Sequence, residues 1–149
     1  MNETGVNSAA IELVREQLDR GGSASLQVAA SSMHPFLRHG DTIRVTACSL
    51  ADLSCGDLVV FEKTGALCTH RFISLKEGVV FTKADRSLHL DEPVMENEFL
   101  GRVTCVQRGS RLLNLDSRLW RGVNSAAGRL SALCVHLCRV LKRAKELVR

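Results

Sequence analysis

The segment Ala30-Ser31-Ser32-Met33-His34-Pro35-Phe36-Leu37-Arg38-His39-Gly40-Asp41 decides how the rest of the chain is interpreted. Ser32 stands just before an apolar methionine and three residues before Pro35, whose ring fixes φ. The Gly40-Asp41 pair then predicts a turn. This pattern places a serine hydroxyl on a constrained bend beside an apolar wall.

Length and composition predict one globular domain. The chain has 149 residues, and its 45% hydrophobic and 24% charged residues are unlike a disordered protein. A net charge of +4 is too mild to imply nucleic acid as a partner. The sequence has no run of about 18 apolar residues and no signal-peptide pattern. Six cysteines without a Cys-x-x-Cys pair favour free thiols, so a cytoplasmic location is expected.

The pattern of apolar runs predicts a mainly β fold between two helices. Residues 1–23 are expected to form an arm and a short helix, 24–108 a coiled antiparallel β domain, and 109–149 a linker and a basic amphipathic helix. Gly65, Gly78 and Gly109 are expected at turns or hairpin tips. The predicted strands are Ser25–Ala29, Thr42–Ala47, Asp57–Glu62, Cys68–Leu75, Val79–Lys83 and Phe99–Gln107.

The predicted C-terminal helix, Ser125–Arg149, carries a stripe of apolar residues with basic residues mostly off that stripe. Packing against an open edge of the β domain is the first expectation. Contact with the anionic inner face of a membrane and binding of a partner protein are the alternatives. The stripe consists of Leu130, Leu133, Leu137, Val140, Leu141, Ala144 and Leu147.

The chain also supplies a base and two carboxylates downstream of the serine. A serine hydroxyl is a poor nucleophile until a neighbouring base takes its proton. His70 falls within a predicted strand, and a carboxylate from a neighbouring segment can hold such a histidine in one tautomer. Asp85 and Asp91 follow it. A Ser32, His70 and aspartate triad is therefore available in that chain order.

Four ordered blocks resemble the signal peptidase I family and its relatives, the LexA-like self-cleaving repressors. They are the S-M-x-P-x-L-x-x-G-D pattern from Ser32, the G-D-L-V-V-F strand at 56–61, the His70-Arg71 pair, and T-K-A-D at 82–85 with Asp91. Bacterial signal peptidases carry a lysine in the third block. Histidine followed by arginine is typical of the endoplasmic-reticulum and archaeal branch, which this chain resembles.

The resemblance implies a serine endopeptidase with a signal-peptidase-like β catalytic domain. It assigns Ser32 as nucleophile, His70 as general base and acid, and either Asp85 or Asp91 as the carboxylate that orients the histidine. The Ser32 backbone N–H would bind the oxyanion, helped by Ser31. The expected partner is an extended peptide or protein with small residues before the cut, such as a leader or precursor. This mechanism needs no metal or organic cofactor.

Departures from the family leave other functions open. Ala30-Ser31 and Ala84 replace family glycines, Arg86-Ser87 replaces the usual amides, and no membrane anchor is found. Met33 is expected to pack beneath the nucleophile or line the substrate groove. The alternatives are a non-catalytic module that binds peptides on the same fold and a LexA-like self-cleaving regulator. A DNA-binding function is disfavoured, because no recognition helix precedes residue 24.

Overall fold

The computed structural model describes residues 8–147, so the N-terminal arm lies outside the described residues. Seven strands and two α-helices account for most of this range, with short 3-10 turns at Leu50–Asp52 and Glu96–Glu98. The prediction of a mainly antiparallel β structure with a helix at each end is confirmed. The elements are α1 (Ser8–Gly21), β1 (Ser23–Gln27), β2 (Thr42–Thr46), β3 (Leu58–Lys63), β4 (Ala66–Lys76), β5 (Val79–Lys83), β6 (Phe99–Arg108), β7 (Arg111–Asn114) and α2 (Arg118–Leu147).

The strands form one sheet in the order β1-β2-β6-β3-β4-β5, with β7 paired to β6. Every pairing is antiparallel, and two-residue turns connect β3 to β4 and β4 to β5. In these turns Thr64-Gly65 and Glu77-Gly78 all have positive φ, as a type I′ hairpin requires. The glycines predicted at hairpin tips therefore lie in tight reversals.

Buried apolar side chains fill both faces of the sheet. Successive residues of β3 alternate between two clusters, as strand geometry demands: Leu58 and Val60 join one, and Val59 and Phe61 the other. The first cluster includes Val14 and Leu18 of α1, and burying each such side chain stabilises the fold by about 1.5–3 kcal/mol. The described part of the chain has no helix apolar and long enough to span a membrane.

Two elements near the C-terminus differ from the sequence-based expectation. Arg111–Asn114 forms β7, because the reversal at Gly109-Ser110 returns the chain alongside β6. The prediction of an irregular linker there was wrong, since exposed arginines obscure the alternation. Helix α2 begins at Arg118, ahead of the predicted start at Ser125. The backbone N–H of Trp120 donates to the Ser117 hydroxyl at 3.4 Å, which caps the first turn.

Helix α2 crosses the sheet through a backbone contact at two glycines. A Cβ on Gly128 would lie 2.5 Å from the Cα of Gly56, so no side chain fits at this crossing. Asn124, Gly128 and Val135 are the buried residues of this face. Helix α2 therefore packs on the domain, as expected, but through this face. The predicted apolar stripe lies on the other side of the helix and is exposed from Leu130 to Ala144. The side chain of Leu147 lies outside the described residues.

Candidate active site

His70 lies in the middle of β4 with its ring largely enclosed. Its backbone pairs with Val59 of β3, and its side chain is 17% exposed. The Phe61 ring meets the imidazole edge-on, with ring centroids 5.7 Å apart. The strand therefore fixes the position of the imidazole, and an apolar neighbour limits how it can rotate.

Asp91 holds the imidazole through a short chain of hydrogen bonds. His70 Nδ1 lies 2.7 Å from Asp91 Oδ2, and the Thr82 hydroxyl donates to the same oxygen at 2.6 Å. The Asp91 backbone N–H also donates to the Thr82 carbonyl at 2.9 Å. Burial raises the pKa of Asp91, but the hydrogen bonds from His70 and Thr82 and the nearby positive charge of Lys83 outweigh it and lower this pKa overall. The carboxylate therefore stays ionised and accepts a proton-bearing Nδ1.

Asp85 contacts the next residue of the strand instead. Arg71 Nε donates to Asp85 Oδ1 at 2.7 Å and Nη2 donates to Asp85 Oδ2 at 2.6 Å. Because side chains alternate along a strand, Arg71 points to the opposite face from His70. The sequence left Asp85 and Asp91 as alternatives for the histidine, and the geometry pairs Asp91 with His70.

The Arg71 guanidinium is fully buried and all its partners are polar or aromatic. Its Nη1 donates to the Gly56 carbonyl at 2.9 Å and to Asn124 Oδ1 of α2 at 3.2 Å. The guanidinium carbon also lies 4.9 Å from the centre of the Phe36 ring. Arg71 thus joins the loop that carries Ser32 and Phe36, the sheet and α2 in one network.

Ser32 lies on a turn attached to the Ala84–Asp91 segment. The Arg86 backbone N–H donates to the Ser32 carbonyl at 3.1 Å, and the Asp85 N–H contacts Met33 Sδ at 3.3 Å. Met33 is buried, as expected for a side chain beneath the turn, whereas Ser31 is exposed. Among the contacts of the described residues, the Ser32 hydroxyl has no hydrogen bond to His70. The structure therefore places Ser32 and Asp91 on adjoining segments but does not join Ser32 to the imidazole.

A pocket of about 280 Å³ borders Asp91, and Val135 and Arg139 of α2 complete its wall. Neither these residues nor Thr82 and Asn124 were assigned a role from the sequence. Thr82 belongs to the T-K-A-D block. A hydroxyl residue at the end of a predicted strand, just before the segment with Asp85 and Asp91, could have indicated a hydrogen-bond partner for one of these carboxylates. Asn124 gave no signal, because a polar residue in a predicted linker has no preferred function. The pocket is lined by Phe81, His89, Leu90, Asp91, Pro93, Val135 and Arg139.

This arrangement can accept and return a proton. With Nδ1 engaged by a carboxylate, the free imidazole nitrogen Nε2 is the proton acceptor. Within residues 8–147, no group of three or more His, Cys, Asp or Glu side chains is placed to hold a metal ion. Comparison with models of known protein families and with curated proteins found no match.

Proposed function

We propose that the chain is a serine endopeptidase that cleaves extended peptides, with Ser32 as nucleophile and His70 as general base. The observation that carries this proposal is the hydrogen-bond chain from Thr82 through Asp91 to His70. An imidazole keeps one tautomer during proton transfer when a fixed carboxylate accepts a hydrogen bond from its Nδ1. Asp91 is partly buried and is itself held by Thr82. A histidine that served only in packing would not require it.

In the proposed reaction the Ser32 hydroxyl transfers its proton to His70 Nε2 as Oγ attacks the substrate carbonyl. Asp91 stabilises the imidazolium that forms. The imidazolium then returns the proton to the leaving amine, the peptide C–N bond breaks, and an acyl-serine remains. Water hydrolyses this ester by the same proton transfers in reverse order. The Ser32 backbone N–H and the Ser31 hydroxyl are the proposed oxyanion donors.

Asp85 has a supporting role in this proposal. Its bidentate pair with Arg71 fixes the start of the Ala84–Asp91 segment, and the Arg86 N–H fixes the Ser32 carbonyl to the same segment. The nucleophile turn and the carboxylate that orients His70 therefore depend on one loop. A shift of that loop would move both together.

The substrate class follows from the family resemblance. Members of the signal peptidase I family, which the sequence resembles, accept small residues before the scissile bond, so we propose precursor or leader peptides with small side chains at P1 and P3. Such peptides bind extended, and the proposed product pair is a released leader and a mature peptide. Contact with a membrane surface is not required by this reaction.

A second candidate is a module on the same scaffold that binds peptides without cutting them. It is favoured by one observation, the lack of a hydrogen bond between the Ser32 hydroxyl and His70 among the described residues. In this function the aspartate–histidine pair would bind a substrate group instead of activating serine. The two candidates differ in whether a peptide bond breaks.

The deciding experiment is cleavage of an unbiased peptide library at neutral pH by the wild type, Ser32→Ala and Ser110→Ala. Ser110 is exposed on the β6–β7 turn and serves as the matched control. We expect the wild type and Ser110→Ala to cleave equally and Ser32→Ala to lose about a thousandfold or more of kcat/KM. Equal cleavage by all three proteins would exclude Ser32 as nucleophile. Peptide capture without cleavage, unchanged in Ser32→Ala, would favour the binding module.

A further inference from the structure

Helix α2 displays apolar residues at alternating steps of four and three along its exposed side. We name these residues the exposed seam. Their exposed fractions are large for apolar side chains, 69% at Leu130 and 52% at Leu137. The exposed seam consists of Leu119, Val123, Ala126, Leu130, Leu133, Leu137, Val140 and Ala144.

The exposed seam points directly away from the domain. At 100° per residue, the mean direction of the seam lies about 180° from that of the buried residues Asn124, Gly128 and Val135. The Gly56–Gly128 crossing fixes the helix in this orientation. Rotating the seam toward the sheet would require that backbone contact to break, so the domain does not cover its own seam.

The spacing identifies the kind of surface that fits. Apolar residues repeating every 3.5 residues over several heptads form the narrow seam of a coiled coil. An interfacial membrane helix commonly carries aromatic residues in its apolar face, whereas the exposed seam contains no aromatic residue. Arg129, His136 and Arg143 border the seam on one side, and the exposed Leu141 lies on the other side near its end. The complementary surface is therefore another helix.

Charge identifies the chemistry of that helix. Residues 118–147 contain seven Lys or Arg residues and a single acidic residue, Glu146. A second copy of this chain would bring two basic helices together without acidic residues to pair with them. We infer that the exposed seam docks an acidic amphipathic helix of a partner protein, with apolar residues at the same spacing and glutamates or aspartates beside them.

The test uses the full chain and a synthetic helical peptide of about four heptads with Ile and Leu in the seam positions and Glu beside them. The glutamates repel each other and keep this probe from pairing with itself at neutral pH. A second probe has Lys in place of every Glu. Anisotropy of the labelled peptide gives Kd. The variant is Leu130→Gln with Leu137→Gln, and the control is Leu112→Gln, equally exposed but on β7.

We expect the acidic probe to bind the wild type and Leu112→Gln alike, and the double variant to bind about a hundredfold more weakly. The basic probe is expected not to bind. We expect the double variant to fold, because both substituted side chains are exposed. Circular dichroism checks this. Failure of the folded wild type to bind the acidic probe overturns the proposal.

Two further measurements separate other occupants of the seam. Sedimentation velocity of the chain alone should show a monomer; a dimer that the double variant abolishes would assign the seam to a second copy. Vesicles of two parts phosphatidylcholine to one part phosphatidylserine should not retain the chain. Retention that the double variant abolishes, without peptide binding, would assign the seam to a membrane surface.

Discussion

His70 and Arg71 are adjacent in the chain, yet each has its own carboxylate on its own face of the sheet. His70 pairs with Asp91 beside Phe61, and Arg71 pairs with Asp85 between the loop and α2. The first pair is partly open to solvent, whereas the guanidinium of the second is fully buried. One pair is therefore suited to proton transfer and the other to holding the structure together.

Replacing each aspartate by asparagine should separate these two roles. We expect Asp91→Asn to keep the fold and to lower kcat by about a thousandfold or more, because the amide no longer stabilises the imidazolium. We expect Asp85→Asn to lower the free energy of unfolding by about 3 kcal/mol, because Arg71 stays buried without a countercharge. Peptide cleavage and urea unfolding, measured on both variants, provide the comparison.

The two variants serve as each other's control, since both remove one charge from the same segment. Full activity in Asp91→Asn would exclude Asp91 as the orienting carboxylate. Unchanged stability in Asp85→Asn would show that water or another group compensates Arg71. The assignment of roles holds only if Asp91→Asn lowers activity more than Asp85→Asn does, and Asp85→Asn lowers the free energy of unfolding more than Asp91→Asn does.

At the scale of elements, the crossing of α2 over the sheet depends on the absence of two side chains. A Cβ on Gly56 would lie 1.8 Å from the Asn124 carbonyl oxygen, and Gly56 also has φ of +102°, which disfavours any other residue. The same contact places Asn124 within reach of Arg71. The close approach of the two glycines thus also positions Asn124 in the buried hydrogen-bond network around Arg71.

Gly128→Ala and Gly122→Ala should change stability in opposite directions. Alanine normally favours a helix over glycine by about 1 kcal/mol, and a Cβ added at Gly122 would meet no atom within 4 Å, so we expect Gly122→Ala to stabilise. At Gly128 the added methyl meets backbone 2.5 Å away, so we expect a loss of about 2 kcal/mol. Urea unfolding of both variants tests this. Stabilisation by Gly128→Ala would mean that α2 is not held at this crossing.

The strands were largely predictable from sequence because each is a short apolar run ended by a turn residue. Phe61 and His70 both fall within apolar runs that predict strands, and both lie on strands of the sheet. The exposed side of α2 was not predictable. An apolar stripe normally marks the buried side of a helix, but here a pair of glycines far apart in sequence determines which side packs. The partner of His70 also depended on loop geometry that no pattern encodes.

At the scale of the whole molecule, an ion pair links the loop that carries Ser32 to the end of β6, an inner strand of the sheet. Arg108 of β6 donates from Nε and Nη2 to the Asp41 carboxylate at 2.9 and 2.6 Å, and Nη2 also donates to the Phe36 carbonyl. The Arg108 hydrogen bonds lower the pKa of Asp41 more than its burial raises it. Asp41 is thus structural, in line with its predicted role in a turn.

The Asp41–Arg108 pair should make part of the free energy of unfolding depend on pH in the acid range. Because the folded-state pKa of Asp41 lies below its ordinary value of 3.8, the stabilisation is present above that pH and is lost as pH falls through the folded-state pKa. We expect Asp41→Asn to cost about 2 kcal/mol at pH 7, less than a fully buried pair because Arg108 is partly exposed. The difference from wild type should shrink as pH falls below 3.8 and through the folded-state pKa.

Urea unfolding of wild type and Asp41→Asn at several pH values between neutrality and acid is the measurement. Asp57→Asn is the comparison, because Asp57 accepts from the Ser54 backbone N–H in an exposed turn. A destabilisation by Asp41→Asn that stays constant down to strong acid would show that the carboxylate charge is not what fastens the loop.

Because α2 packs on the domain along only part of its length, its two ends should differ in how closely their unfolding is coupled to that of the sheet. Val135 is buried and Arg139 lines the pocket beside Asp91, but every described side chain from Val140 to Glu146 is exposed, so burial against the sheet does not stabilise this last stretch. Its backbone hydrogen bonds depend on the intrinsic helix–coil balance, which is marginal for short segments in water. We therefore expect this end of α2 to open through local unfolding while the sheet stays closed. A helix laid along it would extend the cooperative unit by about two turns.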